Sequence, residues 1–378
     1  MIYLDNAATT HKKPDSVYLA VYRELINSAN PGRSGHMLSM AAAEAVFRVR
    51  ESIADFFGIQ KAENIVFTQN CTGALNLAIG GLAKKGDHFL ISDLEHNSVL
   101  RTIDGYCRER YMTYDTVRAL ASDETLLSDL KAKRKPYTKA VVITHASNIC
   151  PRVLPIAKIG AFCRQYGLYL IVDAAQSAGI YDIDMKRDGI SILCAPGHKG
   201  LYGPMGSGFA VFADDFDFSR FSPMLYGGNG KNSEALSMGH EPPDSFETGT
   251  LAVPAIVGLG EGLRFVRLRH REWIEAHEAR LYRLAKSALL EMPRVKLYLP
   301  EAENGSLLLL GFDGISPSAV AERLAERGVC VRAGLHCAPL AHRTLGTGGD
   351  ALRISFSAFN TADEVARFLR ILEKTVKE

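Results

Sequence analysis

Two hydrophobic periodicities alternate along the first half of this chain. Contiguous apolar runs at residues 64–68, 88–92, 140–144, 168–173, 190–195 and 208–212 have the length of buried strands, whereas residues 39–57 and 156–165 place apolar side chains at helical spacing. Another helix is expected to begin near Thr72. The alternation predicts an α/β fold with a mostly parallel sheet and helices on both faces, in which ligands gather at the carboxyl ends of the strands.

The pattern changes after Ala213. Residues 222–250 are loop-rich, with Gly227-Gly228-Asn229-Gly230 and Pro242-Pro243, and a stretch of that length is expected to be functional. Helical periodicity resumes at Val253 and continues through Trp273 to Met292. Strands at 295–299, 306–312, 329–332 and 352–356, with helices at 317–327 and 362–375, then predict a smaller α+β domain. The expected division is a large domain at 14–255 and a small domain at 256–378 that also takes in the opening residues 1–13.

Composition adds bounds. A chain of 378 residues that is 47% hydrophobic can bury more than one ordinary core, in keeping with two domains. Its 44 basic and 42 acidic residues leave a formal charge of +2, so no global field points to nucleic acid or to a membrane surface. Cys71, Cys107, Cys150, Cys163, Cys194, Cys330 and Cys337 are odd in number and contain no CxxC pair, which argues against a disulfide framework or a zinc site. Neither a basic segment leading into an apolar one at the start nor an apolar run of about 18 residues occurs, and the expected location is cytoplasmic.

The chemistry begins at Lys199, reached through Pro196-Gly197-His198 and lying 26 residues after Asp173, which ends the apolar run Leu170-Ile171-Val172. A lysine amine can hold an aldehyde cofactor as a Schiff base, and an aspartate at a strand end can keep a pyridine nitrogen protonated, as pyridoxal phosphate chemistry requires. A lone His-Lys pair in a glycine-rich loop would be a surface feature; the spaced aspartate changes that. Gln69-Asn70-Cys71-Thr72-Gly73 follows a strand and opens a helix, where N–H groups and the helix dipole can hold a phosphate, although the segment alone reads rather as a helix cap with no ligand. Cys337 follows a predicted strand in a glycine-bearing polar segment, where a thiol can be accessible. Arg353 lies in the apolar run Leu352-Arg353-Ile354 and needs an anionic partner, and its guanidinium suits a carboxylate; Arg332 is a second candidate.

These segments resemble a known family. Asp173-Ala174-Ala175-Gln176, Gly197-His198-Lys199 and Leu201-Tyr202-Gly203-Pro204, with Tyr3-Leu4-Asp5-Asn6-Ala7-Ala8-Thr9-Thr10 before them and Arg353-Ile354-Ser355 and Asn360-Thr361 after, are similar to the class V aminotransferase superfamily of fold-type I pyridoxal phosphate-dependent enzymes. Arg332, Gly334, His336, Cys337 and Ala338 match the RxGxHCA pattern of its SufS-like, group II cysteine desulfurases. The resemblance implies a mostly parallel seven-stranded sheet in the large domain, pyridoxal 5'-phosphate as cofactor, and conversion of L-cysteine to L-alanine with a persulfide left on Cys337. It also implies that His96 stacks on the cofactor ring and can carry protons, that Asn148 and Gln176 lie at its phenolic oxygen, and that Asn148 also lies near the substrate. Cys71, Thr72 and His198 would meet the phosphate, and Arg353 with Arg332 the substrate carboxylate. In a homodimer, Thr250 at the end of Phe246-Glu247-Thr248-Gly249-Thr250 would reach the neighbouring subunit's phosphate; otherwise it is a loop threonine capping the next helix. A sulfur-acceptor protein and sulfur supply for iron–sulfur clusters follow from the same likeness.

Three positions depart from the family's pattern: Pro196 where a serine is common, an added Gly200 after the lysine, and Ile149-Cys150-Pro151 in place of a glycine-containing turn after Asn148. Selenocysteine lyase, cystine C–S lyase and aminotransferase are rival activities of the same fold, and a non-catalytic sulfur-relay protein is a rival from another class.

Overall fold

The computed structural model describes residues 1–32, 34–228, 230 and 234–378. Asn229, in the glycine-rich run noted above, lies outside the described residues.

The chain opens with strand β1 (Ile2–Tyr3) and two helices, α1 (Asp15–Asn27) and α2 (Met37–Phe56). Strands and helices then alternate: β2 (Ile65–Thr68), α3 (Cys71–Leu82), β3 (His88–Ser92), α4 (Asn97–Arg110), β4 (Thr113–Val117), α5 (Asp123–Lys133), β5 (Thr138–Thr144), α6 (Ile156–Tyr166), β6 (Tyr169–Asp173), α7 (Met185–Asp188), β7 (Ile192–Pro196) and β8 (Gly208–Phe212). The strands form a seven-stranded sheet in the order β2-β8-β7-β6-β5-β3-β4. Only β8 runs antiparallel to its neighbours. The central strands are covered on both faces, which explains their continuous apolar runs. Val141, Ile143, Leu170 and Val172 enter one buried cluster, while Ala140, Val142 and Ile171 enter another on the opposite face.

After the long loop come α8 (Val253–Arg269), α9 (Arg271–Leu290), β9 (Val295–Leu297), β10 (Leu307–Phe312), α10 (Pro317–Glu326), β11 (Val329–Cys330), β12 (Arg332–Ala333), α11 (Pro339–Leu345), β13 (Leu352–Ser355) and α12 (Ala362–Lys377). The boundary expected at 255/256 falls inside α8, which packs against α1 and α2. β12, β13, β10 and β9 form an antiparallel sheet, and α12 closes over it with a capping box at Thr361 and Glu364.

The single strand expected at 329–332 is two. β1 pairs in parallel with β11, matching Ile2 to Val329, and beyond Val331 the chain passes to the other sheet, where Arg332 pairs with Arg353. The opening residues take the hydrogen bonds of the first half, and β13 takes those of the second. β4 has no counterpart in the sequence reading. Its Thr-Tyr-Asp-Thr-Val sequence lies at the sheet edge, where only Val117 is buried, so no apolar run marks it.

Candidate active site

Five strands of the large sheet end around one cavity, and each delivers a residue to it. β2 leads into α3, whose N-cap Asn70 accepts from the Gly73 N–H at 2.9 Å. The N–H groups of Cys71 and Thr72 lie ahead of any intrahelical acceptor, at the positive end of the helix dipole. This turn requires Gly208 in β8, because a Cβ there would lie 2.4 Å from the Asn70 carbonyl carbon.

β3 leads to His96, the N-cap of α4, whose Nδ1 accepts from the Ser98 N–H at 3.0 Å. The ring proton therefore resides on Nε2 while the imidazole is neutral. Burial, reinforced by Lys199 and Arg332, lowers the His96 pKa to about 4, so near neutrality His96 is an N–H donor rather than a proton store. Ser98 Oγ lies 2.8 Å from His96 Nδ1 and 2.8 Å from Thr72 Oγ1, which joins the ends of α3 and α4.

β5 leads to Asn148, which donates from Nδ2 to the His336 carbonyl at 2.8 Å and keeps its second amide hydrogen free. β6 ends at Asp173, whose Oδ1 accepts from the Ala175 N–H at 2.9 Å and lies 3.6 Å from the Cys71 thiol. Oδ2 is left for another partner. Burial raises the Asp173 pKa, while the Ala175 N–H, Lys199 and Cys71 act against the rise. The Cys71 side chain thus faces the aspartate, and only its N–H remains for an anion. Gln176 donates from Nε2 to the Ala7 carbonyl at 2.9 Å and likewise keeps one hydrogen.

β7 ends at Pro196, and Gly197 and His198 carry the chain to Lys199. Lys199 lies deep in the protein, but the cavity beside it leaves part of its side chain open. Burial lowers the Lys199 pKa, with Asp173 and Cys71 acting the other way. The loop is held from the N-terminal segment: the His198 carbonyl accepts from Thr10 Oγ1 at 3.1 Å and Lys13 Nζ at 2.9 Å, and the Lys199 carbonyl from Thr10 Oγ1 at 3.2 Å. The added Gly200 lies against the neighbouring turn, where a Cβ would come within 2.5 Å of the Ala178 carbonyl oxygen. At Pro196, where a serine hydroxyl is common, the hydroxyls near the cavity come instead from Thr72 and Ser98.

The small sheet supplies the far wall. Arg353 is 1% exposed and donates from Nη2 to Asp5 at 2.6 Å and from Nη1 to the Asn148 carbonyl at 2.8 Å. The anionic partner its apolar setting calls for is supplied within the chain by Asp5. Its Nε is buried without a partner, as is Nδ1 of His198. Cys337 is exposed, with its Sγ 3.7 Å from Arg332 Nη2.

Lys199, Asp173, Cys71, Thr72, His96, Asn148, Gln176, His198, Arg332 and Arg353 all border one cavity of about 220 Å³. Cys337 borders an adjoining outer cavity of about 490 Å³, and the two share Thr72, His96 and Ser98. Thr250 is exposed and borders neither within this chain. Its approach is anchored by Glu247, buried and paired with Arg50 at 2.8 Å. The sequence reading gave no role to Asn70 or Ser98. A cap-forming asparagine ahead of a helix marks the first, but nothing local marks the second or the use of Asp5 as the partner of Arg353.

The residues present fit pyridoxal 5'-phosphate. Unspent N–H groups and hydroxyls at α3 suit a phosphate, the free oxygen of Asp173 suits a ring nitrogen, and the unpartnered Nε of Arg353 is an unused donor for an anion. Such a site on such a sheet defines the fold-type I class of pyridoxal phosphate-dependent enzymes. The chain belongs to the class-V aminotransferase family, whose model matches residues 2–368. It is 32% identical to a probable cysteine desulfurase of Mycolicibacterium paratuberculosis, covering 99% of this chain but 55% of that protein, so it spans about half the length of this relative. A probable cysteine desulfurase of Pyrococcus abyssi is 31% identical, with 100% of this chain and 94% of that protein covered. The solved apo structure of a cysteine desulfurase from Thermococcus onnurineus superposes with a TM-score of 0.90 at 32% identity, covering 100% of this chain and 94% of that one.

Proposed function

We propose that this chain is a pyridoxal 5'-phosphate-dependent cysteine desulfurase of the group II type, which converts L-cysteine to L-alanine and carries the sulfur as a persulfide on Cys337. One juxtaposition carries the reading: the half-buried Lys199, the buried Asp173 and the exposed Cys337 thiol border adjoining cavities that meet at Thr72, His96 and Ser98.

When bound, the cofactor supplies an aldehyde for Lys199 and a ring that withdraws electrons from the substrate carbon. The N–H groups of Cys71 and Thr72, the Thr72 and Ser98 hydroxyls and His198 would hold its phosphate, together with Thr250 of the partner subunit. Asp173 would keep the ring nitrogen protonated, and Asn148 and Gln176 would donate their remaining amide hydrogens to its phenolic oxygen. Arg353, through Nε, and Arg332 would hold the substrate carboxylate. Lys199, with its pKa lowered by burial, takes the α-proton as a neutral amine. Neutral His96 orients by donating from Nε2. The Cys337 sulfur, beside Arg332, gives up its proton and forms a bond to the substrate sulfur while the C–S bond breaks; the C–S electron pair stays with the carbon and is protonated, so one thiol and cysteine give one persulfide and alanine.

The same reading includes a homodimer, a sulfur-acceptor protein and sulfur supply for iron–sulfur clusters. It places the enzyme in the cytoplasm, where thiols stay reduced, in keeping with seven free cysteines. Substituting Cys337→Ala tests it. Cofactor binding and its spectral response to cysteine are expected to persist, while alanine production and protein persulfide are lost. Alanine formation at the wild-type rate without Cys337, or pyruvate and ammonia as products, would overturn it.

A further inference from the structure

Cys337 sits on a turn that its backbone does not favour. His336 and Cys337 both adopt left-handed conformations, with φ of 49° and 57°, although neither is glycine. Such a turn persists only where its surroundings hold it. Two bonds hold its carbonyls: the Asn97 N–H donates to Cys337 at 2.7 Å and Asn148 Nδ2 to His336 at 2.8 Å.

A second restraint comes from behind, where the donors and acceptors can be assigned in only one order. His336 Nε2 lies 3.1 Å from the Arg332 carbonyl oxygen, which can only accept, so Nε2 carries the proton and Nδ1 a lone pair. That Nδ1 lies 3.2 Å from His342 Nε2, which must therefore be the donor, and the two rings are coplanar to within 5°. His342 Nδ1 is then an acceptor, met by the Thr347 hydroxyl at 2.6 Å; the alternative acceptor for that hydroxyl, the His342 carbonyl, is more distant at 3.5 Å. The Gly349 N–H closes the series on Thr347 Oγ1 at 3.2 Å. Both histidines are 2% exposed, and burial lowers both pKa values, that of His336 to about 3, so the neutral tautomers are the ones present. The series ends at Arg332, whose guanidinium faces the thiol at 3.7 Å.

We propose that His342 is a positioning residue for Cys337: acting through His336, it ties the left-handed turn to the Arg332 backbone and so keeps the Arg332 guanidinium against Sγ with the thiol open to the outer cavity. The importance of this for sulfur transfer rests on the desulfurase reading; the thiol reactivity it predicts does not. The other charged groups bordering that cavity, Arg101 and Glu109, lie on α4 and are untouched by changes at His342.

The test measures iodoacetamide labelling of Cys337 in the intact holoenzyme, read by mass spectrometry of its peptide from about pH 6 to about pH 9. His342→Ala is expected to slow labelling at neutral pH severalfold, because Sγ loses the guanidinium that faces it. His342→Gln, which can still present an N–H to His336 Nδ1, is expected to return most of the way. In turnover, kcat should fall and KM for cysteine should rise, because Arg332 also holds the substrate carboxylate in the desulfurase reading. A His342→Ala profile superimposable on wild type would overturn the proposal, as would a loss that His342→Gln fails to reverse. Should His342→Ala not fold, Thr347→Val decides: a smaller loss of labelling rate supports the relay, and an unchanged rate rejects it. If wild type forms neither alanine nor persulfide from cysteine, the desulfurase reading fails, yet the labelling comparison still decides the role of His342.

Discussion

Glu95, one residue before His96, shows how a single side chain ties the site to stability. It is fully buried at the end of β3, where its Oε1 accepts from the Ser92 hydroxyl and the Thr144 N–H, and its Oε2 has no partner. Burial outweighs those bonds and raises its pKa to about 8 from a model-compound value of 4.5. A folded-state pKa above the unfolded value means that stability is fully present below about pH 4.5 and is lost as pH rises through about 8. Glu95→Gln should therefore flatten the decline between those limits, by on the order of a few kcal/mol. Urea midpoints of both proteins at pH 5 and pH 8 check this, and parallel declines would show that Glu95 is not the titrating group. At this scale the sequence disclosed much of the site. Asp173 and Arg353 were legible from a polar residue ending or interrupting an apolar run, and Lys199 from its spacing after Asp173. Ser98, Asp5 and His342 were not, because their partners are Thr72, Arg353 and His336, and only folding brings Ser98 and Asp5 to theirs.

Among elements, strands that lie inside the sheet were read nearly residue for residue, as at His88–Ser92 and Gly208–Phe212. Burial on both faces makes such strands continuously apolar, and that signal needs no tertiary knowledge. Edge strand β4 carries no such signal, and the division of the expected strand 329–332 into β11 and β12 is set by their partners. The meeting of β8 with α3 gives a prediction of its own. Gly208→Ala would press a methyl group against the Asn70 backbone and displace the cap of α3, the helix proposed to face the phosphate. We expect a loss of about 1–3 kcal/mol in stability together with weaker retention of cofactor. Unfolding curves and cofactor content after dialysis report both; a variant that matches wild type in each would show that the turn has room to spare.

For the whole molecule, the most telling feature is an apolar surface that this chain alone leaves uncovered. Tyr18, Tyr22 and Leu25 follow helical spacing along α1, flanked by Leu19 and Ile26, and Met37, Leu38 and Phe47 project from α2; all are exposed. Exposed apolar side chains on two helices that both pack against α8 suit an association face, in keeping with the proposed homodimer. Tyr22→Asp combined with Leu25→Asp should yield monomers by analytical ultracentrifugation and weaken cofactor retention, because Thr250 would no longer reach a partner's site. A double variant that stays dimeric would move the interface elsewhere.

The sequence by itself determined the alternation of strand and helix and the places of the candidate lysine, aspartate and thiol, because each is written in the local order of apolar and reactive residues. Only the tertiary structure decided that one expected strand divides into β11 and β12, that Asp5 neutralises Arg353, and that His342 stands behind Cys337. Those outcomes depend on which hydrogen-bond donors and charges are left unpaired once distant segments are buried together, and no spacing along the chain encodes that remainder.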